Sequence, residues 1–433
     1  MTSFESAGNR WRSPGRQLTG RLAVFLALLP GFSWQVWAQR APIDEADPSK
    51  PILRTEAYWQ YELAHRAIYG EALPARPDAP GDRYAALNAE RFQQAASVIK
   101  DRQSTLGVAK AVPFVGVVKA GREGLPETIA LALHQLHVQA EVVRPSQDFS
   151  RVPLLILGGI EDLPEADWPR VESYVRNGGI LLTSIANGMA AKAMWRYWGD
   201  PLWRRTFSLF GFHVVANSIA GTNGYLQLDP SVRHVAIDRG CLIKGPFWEV
   251  LGPDDQKLGQ LILPWQNMSY GFAYMQAPPD HPDVSPGATL SAYGKGKAVF
   301  VTLPIFYSLQ ETGFTCIQDI LLDLINFLLP APPFKLQAPP NVECSLMSRQ
   351  NAMLLNLLYY YPNRAVTPRL DIEDSVPLRN LSVSVRTGDR PQVVRLQPGA
   401  TPLKYDFLGG YTTVEIPALT GWQILELSLA QRQ

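Results

Sequence analysis

Residues 152–185 read VPLLILGGIEDLPEADWPRVESYVRNGGILLTSI. Two almost unbroken apolar runs, at 152–160 and 180–185, flank a segment in which Trp168, Val171, Tyr174 and Val175 share one helical face. A strand apolar at consecutive positions is one covered on both sides of its sheet. Asn177-Gly178-Gly179 stops the helix between them, since glycine accepts the left-handed conformation that ends a helix. Strand, helix and strand in this order predict a parallel, doubly wound α/β sheet.

The same alternation extends outward. Pro113–Val118 and Ala140–Val143 read as two earlier strands, with a helix over Gly124–Leu136 between them. Ala298–Leu303 reads as a fifth strand, entered through the turn Tyr293-Gly-Lys-Gly-Lys297, and a long helix comes next over Glu311–Leu329. Between these blocks, a helix over Met189–Trp198 opens an irregular region with hairpin-like runs at Leu261–Trp265 and Tyr270–Met275. After Pro330-Ala-Pro-Pro333 and Pro339-Pro340 the hydrophobic period changes from 3.6 to 2. Leu381-Ser-Val-Ser-Val385 alternates cleanly, and Met353–Tyr360, Gln392–Leu396, Tyr411–Ile416 and Trp422–Leu427 complete the strands of a small antiparallel β-sandwich.

The N-terminal end has a different character. Arg10, Arg12, Arg16 and Arg21 precede an apolar run, Leu22–Leu29, too short to span a bilayer, and Val36-Trp37-Ala38 offers a small residue for cleavage. Residues 1–38 are therefore expected to be a signal peptide, with an uncleaved anchor as the competing reading, and the mature protein to be periplasmic or secreted. Residues 39–105 form a leader and two helices, Glu56–Ile68 and Tyr84–Lys100, expected to pack on the domain next in the chain. Residues 106–330 form that α/β domain, 331–340 a Pro-rich linker and 341–433 the sandwich.

Composition excludes several classes. Of 433 residues 46% are hydrophobic and 18% charged, which is a globular balance, and the net charge of +1 lacks the positive field that nucleic-acid binding needs. Cys241, Cys316 and Cys344 are odd in number and far apart, so neither a disulfide framework nor a metal cluster is expected, and Cys316 reads as a core residue. No cofactor is called for.

The segment at 152–185 and the run SAYGKGKAVFVTLPIF at 291–306 together resemble the trimerisation domain of β-galactosidase-type glycoside hydrolases, which has a class I glutamine-amidotransferase-like fold. The stretches NAMLLNLLYYYP, PLRNLSVSVR and GGYTTVEIPALTGWQILEL resemble the β-sandwich that closes such chains. The resemblance implies a flavodoxin-like sheet followed by a sandwich, and an accessory role in a carbohydrate context. It also implies what is missing. The sugar chemistry of that family sits in an upstream barrel of at least about 200 residues, whereas about 70 residues separate the signal segment from the first strand here. The amidotransferase Cys is replaced at the elbow by Thr183-Ser-Ile-Ala-Asn-Gly188, and no base comes after the late strand at Leu303-Pro-Ile-Phe306.

Position in the sheet nominates the candidate site residues. Ser184 stands at the carboxyl end of a strand, where doubly wound sheets bind ligands, but equally ends a strand or caps a helix. Glu161 and Asp162 come directly after the preceding strand and suit acid–base or cation chemistry, or a helix start. His213, His234, Asp238, Asp280, His281 and Asp283 have no compact metal-ligand spacing, and 280–283 reads as an exposed loop among prolines. Trp195, Trp198 and Trp203, near Arg196, Arg204 and Arg205, suit a sugar platform, an oligomer interface or a core; Trp265, Tyr270, Phe272 and Tyr274 form a second such group. The leading expectation is an exported, non-catalytic accessory or assembly module that self-associates or docks to another exported protein, with a glycan as possible partner. The alternative is an exported glycan-active hydrolase with a pocket at the sheet's carboxyl edge.

Overall fold

The computed structural model describes residues 54–69, 84–186, 201–217, 223–252, 256–264, 278–362, 372–373 and 376–430. The signal segment, the helix expected at Met189–Trp198, the run Tyr270–Met275 and Trp195, Trp198 and Trp265 lie outside the described residues.

Two helices, α1 (Glu56–Tyr69) and α2 (Ala85–Leu106), lead in. The sheet domain then runs β1 (Lys110–Ala111), β2 (Val115–Val118), α3 (Leu125–Gln135), β3 (Ala140–Val143), β4 (Leu154–Leu157), α4 (Trp168–Arg176) and β5 (Ile180–Ser184). It continues through α5 (Pro201–Phe210), β6 (His213–Asn217), β7 (Gly224–Leu228), β8 (Cys241–Ile243), β9 (Trp248–Leu251), β10 (Lys257–Pro264), β11 (Pro279–Tyr293) and β12 (Gly296–Val301). Helices α6 (Ile305–Thr312) and α7 (Thr315–Leu328) close it.

One nine-stranded sheet has the order β3-β2-β4-β5-β12-β11-β10-β7-β8. Its first five strands are mutually parallel and the other four attach antiparallel. The sheet is therefore mixed. Alternate residues of each parallel strand face opposite cores. Leu154 and Ile156 pack with α3, α6 and α7, while Leu155 and Leu157 pack with α4 and α5. Two covered faces are why the run at 154–157 carries no polar residue. At the end of α4 the Tyr174 ring lies where a Cβ on Gly179 would stand, 2.2 Å from its Cζ, so that position admits only glycine.

Three expectations are corrected here. Asp280-His-Pro-Asp283 is not a loop but part of β11, paired to β10 with register shifts. Among the described residues, this part of β11 pairs with β10 alone, because β12 joins it from Ala288 onward, and an unpaired side tolerates prolines that lack an N–H. Cys241 and Cys316 form a disulfide between β8 and α7, with Cα atoms 5.7 Å apart across 75 residues of sequence; Cys344 is free and buried. Spacing could not reveal this, because the pair is made by tertiary packing.

The third correction concerns docking. The sandwich comprises β13 (Phe334–Leu336), β14 (Val342–Arg349), β15 (Ala352–Tyr359), β16 (Tyr361–Pro362), β17 (Ile372–Glu373), β18 (Leu378–Arg386), β19 (Val393–Gln397), β20 (Thr401–Pro402), β21 (Tyr405–Leu408), β22 (Tyr411–Leu419) and β23 (Gly421–Ser428). Two of its sheets, β1-β14-β15-β23-β19-β20 and β13-β18-β22-β21, enclose a core that includes Leu346, Leu355, Val383 and Ile416. The lead-in helices bury Tyr58, Leu63, Ala64 and Ile68 with Leu354, Leu358, Trp422 and Ile424, so their main support is the sandwich rather than the α/β sheet. The linker contributes edge strand β13, which prolines on either side allow.

Sheet and sandwich are joined directly. Strand β1 pairs with β14, and the Gln139 amide donates to the carbonyls of Val112 and Leu346 while accepting from the Leu346 N–H at 2.7 Å. Among the described residues, no helix is long and apolar enough to cross a membrane.

Candidate functional site at the carboxyl edge of the sheet

The strand order reverses at β2. The chain leaves β2 toward β3 on one side and returns to β4 on the other. Open α/β sheets bind ligands in the crevice that such a reversal leaves beyond the carboxyl ends of the strands. At that edge here stand the loop after β2, residues 119–124, and the loop after β4, residues 158–163.

The second loop carries the acids. Glu161 Oε2 accepts the Ala186 N–H at 2.7 Å, and Asp162 Oδ1 accepts the Tyr307 phenol at 2.7 Å. The other oxygens, Glu161 Oε1 and Asp162 Oδ2, are shielded from solvent and find no partner among the described residues. Burial pushes the Glu161 carboxyl up to about 8, against the Ala186 N–H, which favours the anion; the nearby Asp162 charge adds to the rise. Burial also raises Asp162, with the Tyr307 hydrogen bond opposing. The Tyr307 phenol is raised too, first by burial and then by Asp162.

Glycine lets the backbone approach these acids. Gly121 has φ +88°, and a Cβ there would stand 2.5 Å from Asp162 Oδ2; one on Gly159 would stand 2.7 Å from the same oxygen. One helical turn beyond Tyr307, Gln310 Nε2 donates to the Glu123 carbonyl at 3.1 Å, and its Oε1 is buried without a partner among the described residues.

Ser184 is brought to the same edge, yet it is fully buried. Its Oγ lies 2.9 Å from the carbonyls of both Gly158 and Ile185, which share its single proton. Its own carbonyl accepts the Ile160 N–H at 2.8 Å. The hydroxyl thus ties β4 to β5. The described residues place no histidine in contact with it.

The remaining candidates do not converge there. His213, exposed, stacks on Phe207 with ring centroids 4.4 Å apart. His234 sits in a turn whose N–H groups, with those of Val235 and Ala236, are held by the buried Asp323 carboxylate. Asp238 pairs with Arg233, and His281 with Asp280 at 2.8 Å. Asp283 Oδ1 accepts the Ser285 N–H. Among the described residues, no three His, Cys, Asp or Glu side chains are grouped to hold a metal ion. Trp203 falls on α5. Arg205 is buried over the Trp168 ring, 4.4 Å from its centroid, and paired to Glu165 at 2.7 Å and Glu172 at 2.9 Å, which makes it part of the fold's packing.

Tyr307 and Gln310 were missed by reading the sequence. The signal was available: a phenol three residues into the helix after a sheet strand, with an amide at i+3 on the same face.

The sequence matches no protein-family model and no curated protein. Its fold is similar to solved structures. An alpha-L-fucosidase, isoenzyme 2 from Paenibacillus thiaminolyticus, superposes with TM-score 0.72 at 18% identity, over 87% of this chain and 58% of that one. A beta-galactosidase from Rahnella sp. R3 superposes with TM-score 0.50 at 13% identity, over 79% and 44%. The chain thus spans about half the length of these glycoside hydrolases and shares its fold with part of each.

Proposed function

We propose that the chain is a non-catalytic, carbohydrate-associated accessory and assembly module of the trimerisation-domain type, acting in the periplasm or outside the cell. The order β3-β2-β4-β5-β12 supports reading the parallel half as a flavodoxin-like, glutamine-amidotransferase-like sheet. The observation that carries the proposal is the state of the elbow. Among the described residues, the hydroxyl in a nucleophile's position, Ser184, is buried and spent on backbone carbonyls, so it does not present itself for attack.

Other features support an assembling role. Lead-in helices, sheet and sandwich form one block through β1–β14 pairing and Gln139, and a rigid block suits docking. The flank formed by α5, β6 and β9 leaves Phe207 and Leu251 more than half exposed, beside His213. A disulfide between Cys241 and Cys316 suits an oxidising compartment. A carbohydrate context is supported by the fold shared with part of a fucosidase and part of a beta-galactosidase.

The second reading is a glycan-active hydrolase, favoured by one observation: a carboxyl group raised to about 8 is protonated at neutral pH, as a general acid must be. Light scattering and chromogenic glycosides separate the two. The module is expected to show a multimeric mass, or capture by an exported partner, with no turnover. Turnover abolished by Glu161→Gln overturns the proposal in favour of the hydrolase.

A further inference from the structure

Helix α3 ends in a motif that ordinarily calls for glycine. The His137 N–H donates to the His134 carbonyl at 3.0 Å and the Val138 N–H to the Leu133 carbonyl at 2.8 Å, the paired bonds of a Schellman cap. The same two bonds end α4, from Gly178 to Val175 and from Gly179 to Tyr174. At the left-handed position α4 has Gly178, whereas α3 has His137, with φ +56°. That conformation crowds any Cβ against the backbone. What the side chain gains in return is contact with the other domain. Its ring lies by the carbonyls of Pro339, Val342 and Leu336, in the segment that joins sheet to sandwich. Its Nε2 is shut off from solvent and has no hydrogen-bond partner among the described residues.

We infer that His137 is an acid-sensitive clasp between the α/β domain and the sandwich, closed while its ring is neutral and released when the ring takes up a proton. The inference is independent of the assembly and hydrolase readings. Burial holds the His137 imidazole below the ordinary histidine value of 6.5, against the three carbonyls, which favour the charged form. The released ring takes up a proton more readily than the held one. The contact therefore has its full strength above pH 6.5 and loses it progressively as pH falls below that value.

The surrounding groups do not reproduce this behaviour. Residues 337–341, Gln-Ala-Pro-Pro-Asn, have no titratable side chain. On β13, Lys335 lies over the Tyr411 ring, and on β3, Glu141 is exposed. On α3, His134 stacks on Tyr69 of α1, with centroids 4.6 Å apart, and its Nε2 lies 3.0 Å from the Ala140 carbonyl. On β14, burial pushes the Cys344 thiol up, and Glu343 accepts the Tyr61 phenol at 2.8 Å and lies 2.7 Å from His65 Nδ1. Charging His65 makes that contact an ion pair, so acid strengthens the tie from α1 to the sandwich, which is the opposite sign.

Hydrogen–deuterium exchange of the intact protein at pH 7.5 and pH 5, corrected for the intrinsic rate at each pH, tests the inference. Amides in 336–346 should lose protection at pH 5. The limit is about thirtyfold, for a histidine that ionises at 6.5 once released and not at all while held, and a loss of at least about threefold is expected. Protection of 154–157, inside the parallel sheet, should not change; an equal loss there is general acid unfolding and overturns the inference. His137→Asn keeps a residue that tolerates the left-handed conformation but takes up no proton, and His137→Gly restores the usual residue of the cap. Both variants should be indifferent to pH over this range, and either one suffices should the other fail to fold. No acid loss in the wild type overturns the clasp, as does a loss that persists in these variants. His65→Gln should leave the acid loss in place; its disappearance there assigns the response to His65 and overturns the role of His137.

Discussion

Replacing Glu161 by Gln should make the protein's stability less dependent on pH, with a sign set by burial. In the unfolded chain this carboxyl ionises near its ordinary value of 4.5; in the fold it holds its proton to about 8. Between those values the native state binds the proton and the unfolded state does not. Unfolding free energy therefore falls as pH rises through this window, by about 1.4 kcal/mol per pH unit, and levels off above about pH 8. Across the window the ceiling is about 5 kcal/mol, and an interior more polarisable than dry protein brings the expected figure to about 2–4 kcal/mol. Gln preserves the acceptor for the Ala186 N–H, adds an N–H₂ donor and cannot ionise. Urea unfolding of both proteins at pH 5, 6, 7 and 8 isolates the effect, because the other titrating groups cancel in the difference. The variant should gain on the wild type steadily from pH 5 to pH 8. Parallel stability curves would refute a buried, proton-holding Glu161.

Tyr307→Phe removes the donor to Asp162 Oδ1 and should cost about 1–3 kcal/mol in urea unfolding, since a buried oxygen loses its partner. Gly121→Ala forces a Cβ against Asp162 at a left-handed φ and should destabilise by about 1–3 kcal/mol, read as a lowered Tm. Cys316→Ser opens a 75-residue separation between crosslinked positions; the chain-entropy limit is about 4.5 kcal/mol, and the loss should match that produced by reductant on the wild type. In the denatured wild type, thiol titration should count one thiol, Cys344, before reduction and all three after it.

The parallel strands were legible in the sequence because a strand buried on both faces must be apolar at every position, as 154–157 is. The sandwich was legible because Leu381, Val383 and Val385 alternate with residues facing outward. Glu161, Asp162 and Ser184 were located because strand positions fix where the carboxyl ends of strands lie. What those residues do was not legible. Whether Ser184 faces a cleft or two carbonyls depends on how closely β4 and β5 approach, and an isolated stretch of sequence carries no such distance.

The sequence by itself determined the parallel strands, the helices between them and the edge at which the acids emerge, since hydrophobic period and glycine placement act over a few neighbouring residues. Only the tertiary structure decided which distant groups meet. It set Tyr307 against Asp162 across 145 positions, Cys241 against Cys316 across 75, and the lead-in helices against a sandwich that begins more than two hundred residues later. The reason is physical: apolar burial is non-directional and selects no particular partner, so pairing depends on how whole layers pack together.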